Sequence, residues 1–226
     1  MLTVCLAGCA AVRPPAGPEV QPEISSSDTL PEGEGWWYAR FYINRPAGEA
    51  PRWHIGTLLA GEVIAPVFDR RYGDILIWRI HRRAGNDENG HMLSFVFYAT
   101  APGARRIYSD IADNALLSQL RREGLVTRVV FDDVQHIQRP GIDDTSDESW
   151  LPVVRKTWPA LIMGASRMWL DMVTELAAAQ PQDLELEQRY LAVDEEINRI
   201  WAEQGQHAIL HHLSAIYAYK PLLITY

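Results

Sequence analysis

Trp36-Trp37-Tyr38-Ala39-Arg40-Phe41-Tyr42-Ile43-Asn44 separates into two interleaved sets of side chains. Trp37, Ala39, Phe41 and Ile43 fall on one side of an extended chain, and Trp36, Tyr38, Arg40 and Tyr42 on the other, because successive side chains of a strand point to opposite faces. A period of two this regular predicts a strand. One face is fit for a core, whereas the other is aromatic and cationic.

Working outward, Pro51 precedes residues 52–68, where Ile55, Leu58, Leu59, Val63 and Val67 recur at helical spacing and Pro66 closes or kinks the helix near its end. Residues 74–82 form a second strand, with Leu76, Trp78 and Ile80 against Ile77, Arg79 and His81. Gly85-Asn86-Asp87-Glu88-Asn89-Gly90 is rich in turn formers and reads as a hairpin connection. A third strand over 91–99 sets Leu93, Phe95 and Phe97 against Met92, Ser94, Val96 and Tyr98. One helix is predicted over 103–123, capped by Gly124, followed by a strand over 125–131. The order β-α-β-β-α-β predicts an α+β fold, a ferredoxin-like module over residues 36–137 with two right-handed crossovers.

Residues 138–149 are polar and acidic and contain Pro140-Gly141, which suits a connection. Helical patterns then cover 160–179, 184–203 and 206–219, with Leu161, Met168, Leu191, Trp201, Leu210 and Tyr217 among the apolar stripe residues. Pro181 and Gly205 punctuate them, and Pro221 ends the last before a short extended Leu222-Leu223-Ile224. The range 138–226 is therefore read as an acidic connection and C-terminal helices packed on the module. A ferredoxin-like sheet carries both crossover helices on one face. Its second face here would hold Tyr38, Arg40, Tyr42, Arg79, His81, Ser94, Tyr98 and Arg128. The expectation is that the C-terminal helices pack over this face and that its arginines pair with acids. The alternative is a face that stays partly open and takes a ligand or partner through Tyr38, Arg40, Arg79, His81, Tyr98 and Arg128.

The chain has 226 residues and a formal charge of −8, which disfavours nucleic acid, where phosphate neutralisation dominates binding. It also offers no attraction to an anionic membrane surface. An RNA-binding sheet with stacked aromatics fits the topology but not this charge. No apolar run approaches the ~20 residues of a membrane span. Both cysteines, Cys5 and Cys9, lie at the very start, so the domain is held by packing, with eight Trp and nine Tyr to supply apolar area.

Leu6-Ala7-Gly8-Cys9 resembles the lipobox of the bacterial lipoprotein signal class. The resemblance covers only these first residues. It implies that Cys9 is acylated (a palmitate-type anchor), that the residues before it are removed, and that the domain is held in the cell envelope. Ala10 in place of Asp implies the periplasmic face of the outer membrane in a diderm host. Met1–Gly8 carries no Lys or Arg and is shorter than the basic and apolar regions of a full signal, as a start downstream of the true one would leave it. Residues 10–35 hold Pro14, Pro15, Pro18, Pro22 and Pro31, Ser25-Ser26-Ser27 and several Glu. Such a segment buries too little to offset its ordering entropy and is read as a disordered tether.

Chemistry-bearing residues are scattered. His207 and His211, four apart on one helix, are the best metal-like pair, although Ala208 stands where a zinc-protease Glu would be. The stripe around Leu210 and Leu213 makes surface histidines the more ordinary reading, and no metal is expected. Asp143-Asp144-Thr145-Ser146-Asp147-Glu148 offers oxygen ligands without EF-hand spacing. Asp132, Asp133 and His136 would make either an acid–base group or a hydrogen-bonded loop. His54 lies in the first turn of the first helix, and Arg70-Arg71 adds positive charge near Arg79, Arg82 and Arg83. That charge would bind an anion or pair with the chain's own acids. No nucleophile elbow, phosphate loop or dinucleotide fingerprint is present, and no cofactor is expected. The function expected is that of a lipid-anchored binding module with an envelope protein as partner. The alternative is a small-molecule site or enzyme between the second sheet face and the C-terminal helices.

Overall fold

The computed structural model describes residues 30–85, 90–181 and 183–222. Leu6–Cys9, most of the tether, the tip of the 85–90 connection and the end of the chain lie outside the described residues. Four strands, β1 (Glu34–Ile43), β2 (Ile77–Ala84), β3 (His91–Thr100) and β4 (Val126–Phe131), form one sheet in the order β2-β3-β1-β4. Every neighbouring pair is antiparallel. Glu34 and Gly35, expected in the tether, already pair with Thr100 and Ala99.

The period-2 reading fixes which face is which. Trp37, Ala39, Phe41, Leu93, Phe95, Phe97 and Trp78 are buried together in the main core. The first crossover is α1 (Trp53–Leu59), a π-helical turn (Ala60–Ile64) and α2 (Ala65–Arg71). Pro66 starts α2 rather than ending a helix. It has no N–H to offer the preceding turn, where the Glu62 carbonyl instead accepts from Asn114 Nδ2 at 3.3 Å. The second crossover is not the single helix expected over 103–123 but α3 (Ala101–Ala112) and α4 (Ala115–Arg122). Asn114 makes the break: its side chain accepts from Leu117 N at 3.0 Å and caps α4.

The C-terminal helices do not lie where the sequence places them. α5 (Pro152–Ala179) begins well before residue 160 and runs through Pro159. An interior proline leaves the carbonyl four residues back without its helical donor. That carbonyl belongs to Arg155, and the Ser146 hydroxyl donates to it at 2.7 Å. Farther along, Ile80 N on the outer edge of β2 donates to Ser166 Oγ at 3.0 Å, so α5 covers a sheet edge. α6 (Leu186–Gly205) docks on the first crossover. Thr57 Oγ1 and Arg82 Nη2 donate to Asp194 Oδ1 at 2.6 and 2.8 Å. The Tyr190 hydroxyl donates to Glu62 at 2.8 Å, with its phenol pushed above the usual range by burial and then by that carboxylate. Gly61 permits this approach, since a Cβ there would lie 2.9 Å from Tyr190 Cε1.

Leu170 and Val173 of α5, and Tyr190, Val193 and Ile197 of α6, join the main core. The expectation that these helices cover the second sheet face is therefore corrected. They dock instead on the first crossover and the β2 edge, where Arg82 meets Asp194 and Trp169 and Ile80 meets Ser166. Trp201, Leu210 and Tyr217 were expected to pack and are exposed. Beyond α6, a π-helical segment (Gln206–His211) and α7 (His212–Ile216) contribute no buried residue. No helix among the described residues is long and apolar enough to cross a membrane.

Candidate functional site

The register resolves the second sheet face into rows that run across the strands. Ile77, Tyr98 and Trp36 form the first row. Arg79, Val96 and Tyr38 form the next, followed by His81, Ser94, Arg40 and Val130, and finally Arg83, Met92, Tyr42 and Arg128. With strands about 4.8 Å apart, the last row spans about 14 Å from Arg83 to Arg128.

The first row is covered, but by the connection rather than by a helix. Tyr98 donates its hydroxyl to the Pro140 carbonyl at 2.5 Å, and Trp36 Nε1 donates to the Ile142 carbonyl at 3.0 Å. Trp36 N adds a bond to the Arg139 carbonyl at 2.9 Å. Gly35 lets the backbones meet, because a Cβ there would stand 3.0 Å from the Arg139 oxygen. Trp36, Val96 and Tyr98 thus form a second small core, with Ile142 against it. Burial, then the charges of Glu34 and Asp144, push the Tyr98 phenol up.

The middle rows are knotted by Asp132, which follows β4. Its two oxygens accept from Arg40 at 2.7 Å and Arg139 at 3.0 Å. Both guanidinium groups lie over the Tyr38 ring, at 4.2 and 4.8 Å. Arg79 stacks at 5.1 Å on Trp158, where α5 reaches this face. Its Nε is buried with no hydrogen-bond partner. Burial holds the Arg79 guanidinium below its usual range, partly countered by the Tyr38 hydroxyl.

In the last row Arg83, Met92 and Tyr42 are half-buried. Arg128 is exposed, with its guanidinium 3.9 Å above the Tyr42 ring. No carboxylate among the described residues pairs with Arg128. His81 is exposed in the sequence of strand β2 and is held below the ordinary imidazole range by partial desolvation, then by Arg79 and Arg83. At neutral pH it is an uncharged donor and acceptor between two cations.

All six residues read from sequence as a ligand or partner face, Tyr38, Arg40, Arg79, His81, Tyr98 and Arg128, do share it. They do not converge on one point. Tyr98 is committed to Pro140 and Arg40 to Asp132, while His81 and Arg128 sit on opposite outer strands. α5 lies along the β2 edge, and its Trp158 meets Arg79 of this face. Met92, which the alternation of β3 sets beside Ser94 and Tyr98, also belongs to the face. Arg139 lies over Tyr38 there and was missed, because an irregular segment leaves no periodic signal.

The other candidates are dispersed or committed. Arg71 forks onto Asp110 at 2.8 and 3.0 Å, so the Arg70-Arg71 pair serves α3 and not the Arg79 cluster. Asp110 is held below the usual carboxylate range, chiefly by the Arg71 hydrogen bond. Asp133 bonds His136 at 2.7 Å, away from Asp132, so no acid–base trio assembles. In the acidic connection, Asp144 accepts from Gly141 N at 2.7 Å and Asp147 from Ser149 N at 2.8 Å, which fixes the turn. The rings of His207 and His211 lie 5.2 Å apart, yet among the described residues no three metal-ligating side chains form a metal site. His54 reaches Glu187 at 3.1 Å across α1 and α6. No protein-family model, curated protein or solved structure matches this chain significantly.

Proposed function

We propose that this chain is a lipid-anchored envelope protein that binds an anionic surface of another envelope protein through its second sheet face, around the exposed Arg128 and His81. One observation carries the binding reading. On a chain of net charge −8, the exposed Arg128 stands over Tyr42 in one row with Met92 and Arg83, next to the exposed His81, so cationic and aromatic groups gather on one sheet face. Guanidinium groups recognise carboxylates through paired N–H donors, and a ring or thioether beside them supplies apolar contact. Tyr42 and Met92 fill that role between the two edges. Such an arrangement orients a partner and offers no nucleophile–base pair, so binding fits it better than catalysis.

The sheet order β2-β3-β1-β4, with two helical crossovers on one face, supports reading the module as ferredoxin-like. The Leu6–Cys9 motif supports the anchor, and the Pro-rich residues behind it support a tether. A chain in polyproline geometry extends by ~3.1 Å per residue, enough to hold the module tens of ångströms from a bilayer. Two experiments test the reading. Mass spectrometry of the protein from its native membrane should find an acylated Cys9 at the N-terminus; an unmodified Met1 in the soluble fraction refutes the anchor. Arg128→Glu with His81→Glu should abolish salt-sensitive co-purification of an envelope partner and leave the circular dichroism unchanged. Undiminished recovery refutes the face.

A further inference from the structure

On the helix-covered side of the molecule, α1, α4 and the start of α6 leave a cleft of about 470 Å³ between them. Leu58 and Leu120 form a buried floor, Leu116 flanks it, and Leu191 stands 44% exposed at the mouth. The rim carries Glu123, Glu185 and Glu187, and neither Lys nor Arg lines the cleft. Two of these carboxylates are held in place from within. His54 Nε2 lies 3.1 Å from Glu187, and Gln119 donates to Glu123 at 2.8 Å. Glu185 has no ion-pair partner among the described residues.

We propose that this cleft binds a small amphipathic cation, an amine carried on an alkyl or aryl body. The volume falls in the range of ~300–1,000 Å³ typical of small-molecule sites. A leucine floor rewards an apolar body at roughly 25 cal/mol per Å² removed from water. The rim then selects by charge. Three carboxylates with no lysine or arginine in the lining attract an ammonium and repel a carboxylate or phosphate. The preference is opposite to that of the sheet face, so the two surfaces take ligands of opposite sign.

Calorimetric titration of the full chain with octylamine, octanol and octanoate tests the proposal. Octylamine should bind about tenfold more tightly than octanoate, with octanol between them. Added salt should narrow that gap, because the rim is exposed. Glu185→Gln with Glu187→Gln should remove the preference for the amine while octanol binding persists. Leu191→Ser, at a position exposed enough to keep the fold, should weaken all three probes. Absence of octylamine binding to millimolar concentration, equal binding of octylamine and octanoate, or an amine preference that survives the double Gln variant would each overturn it.

Discussion

Asp194→Ala probes the contact that joins the C-terminal helices to the rest of the molecule. Asp194 is buried, and its Oδ1 accepts from Thr57 at 2.6 Å and Arg82 at 2.8 Å, while Oδ2 accepts from Asn198 at 3.2 Å. Removing one partner of a fully buried ion pair costs about 3–5 kcal/mol. Here the penalty is smaller. Arg82 keeps a hydrogen bond to the Trp53 carbonyl at 2.8 Å and stacking contacts with Trp53 and Trp169, and its side chain is 22% exposed. Thr57 also retains the Trp53 carbonyl at 3.3 Å. The expected loss is about 2–3 kcal/mol, or a fall in Tm of roughly 5–10 °C for a chain of this size. Urea unfolding followed by tryptophan fluorescence gives the number. A double-mutant cycle with Arg82→Met separates the pair from the loss of packing. A loss below about 0.5 kcal/mol, the usual ceiling for a surface substitution, would refute the docking of α6 through this carboxylate.

Three further outcomes follow from the same contacts. Gly61→Ala should cost about 1–3 kcal/mol by forcing Tyr190 off the π-helical turn; a neutral effect in chemical denaturation would show that α6 does not sit there. Ser146→Ala should cost about 1–2 kcal/mol, because the Arg155 carbonyl, which Pro159 leaves without a helical donor, loses the hydroxyl that replaces it. Restoring the helical N–H with Pro159→Ala in the Ser146→Ala background should recover part of that, and no recovery would contradict the pairing of these two residues. Asp110→Asn addresses pH. The folded carboxyl lies below its ordinary value because of Arg71, so its contribution is complete above about pH 4 and fades as pH falls through that value toward the folded one. The wild-type Tm should therefore drop more steeply between pH 6 and pH 3 than that of the variant, and equal slopes would argue against the ion pair.

The sheet was legible because alternation is a local signal. The faces of β1, β2 and β3 follow directly from the pattern around Trp37, Trp78 and Phe95, and the turn and cap residues set most of the spacing. Helix ends were less legible because single polar side chains outside the apolar stripes set them. Asn114 splits the second crossover by capping α4, while Ser146 lets α5 run through Pro159. Neither effect has a periodic signature. The packing of α5 and α6 was misplaced because an amphipathic stripe records that a helix buries one face but not what it meets. Specific polar contacts decide that: Ser166 meets Ile80 for α5, while Asp194 and Tyr190 of α6 find Arg82 and Glu62 more than a hundred residues away. For the candidate site, the sequence placed six residues on one face but could not say which were already spent. Asp132 and the Pro140 carbonyl, both on irregular segments, consume Arg40 and Tyr98.

The most direct test of the binding face is position-resolved photo-crosslinking in the native envelope. A photoreactive residue is placed in turn at Tyr42, Met92 and Arg128, and as controls at Met168 on α5 and Leu191 on α6. The expected result is one crosslinked envelope partner from the three sheet positions, lost when His81→Glu is added and absent from both helix positions. A partner captured from Met168 or Leu191 while the sheet positions stay silent would contradict binding through the second sheet face.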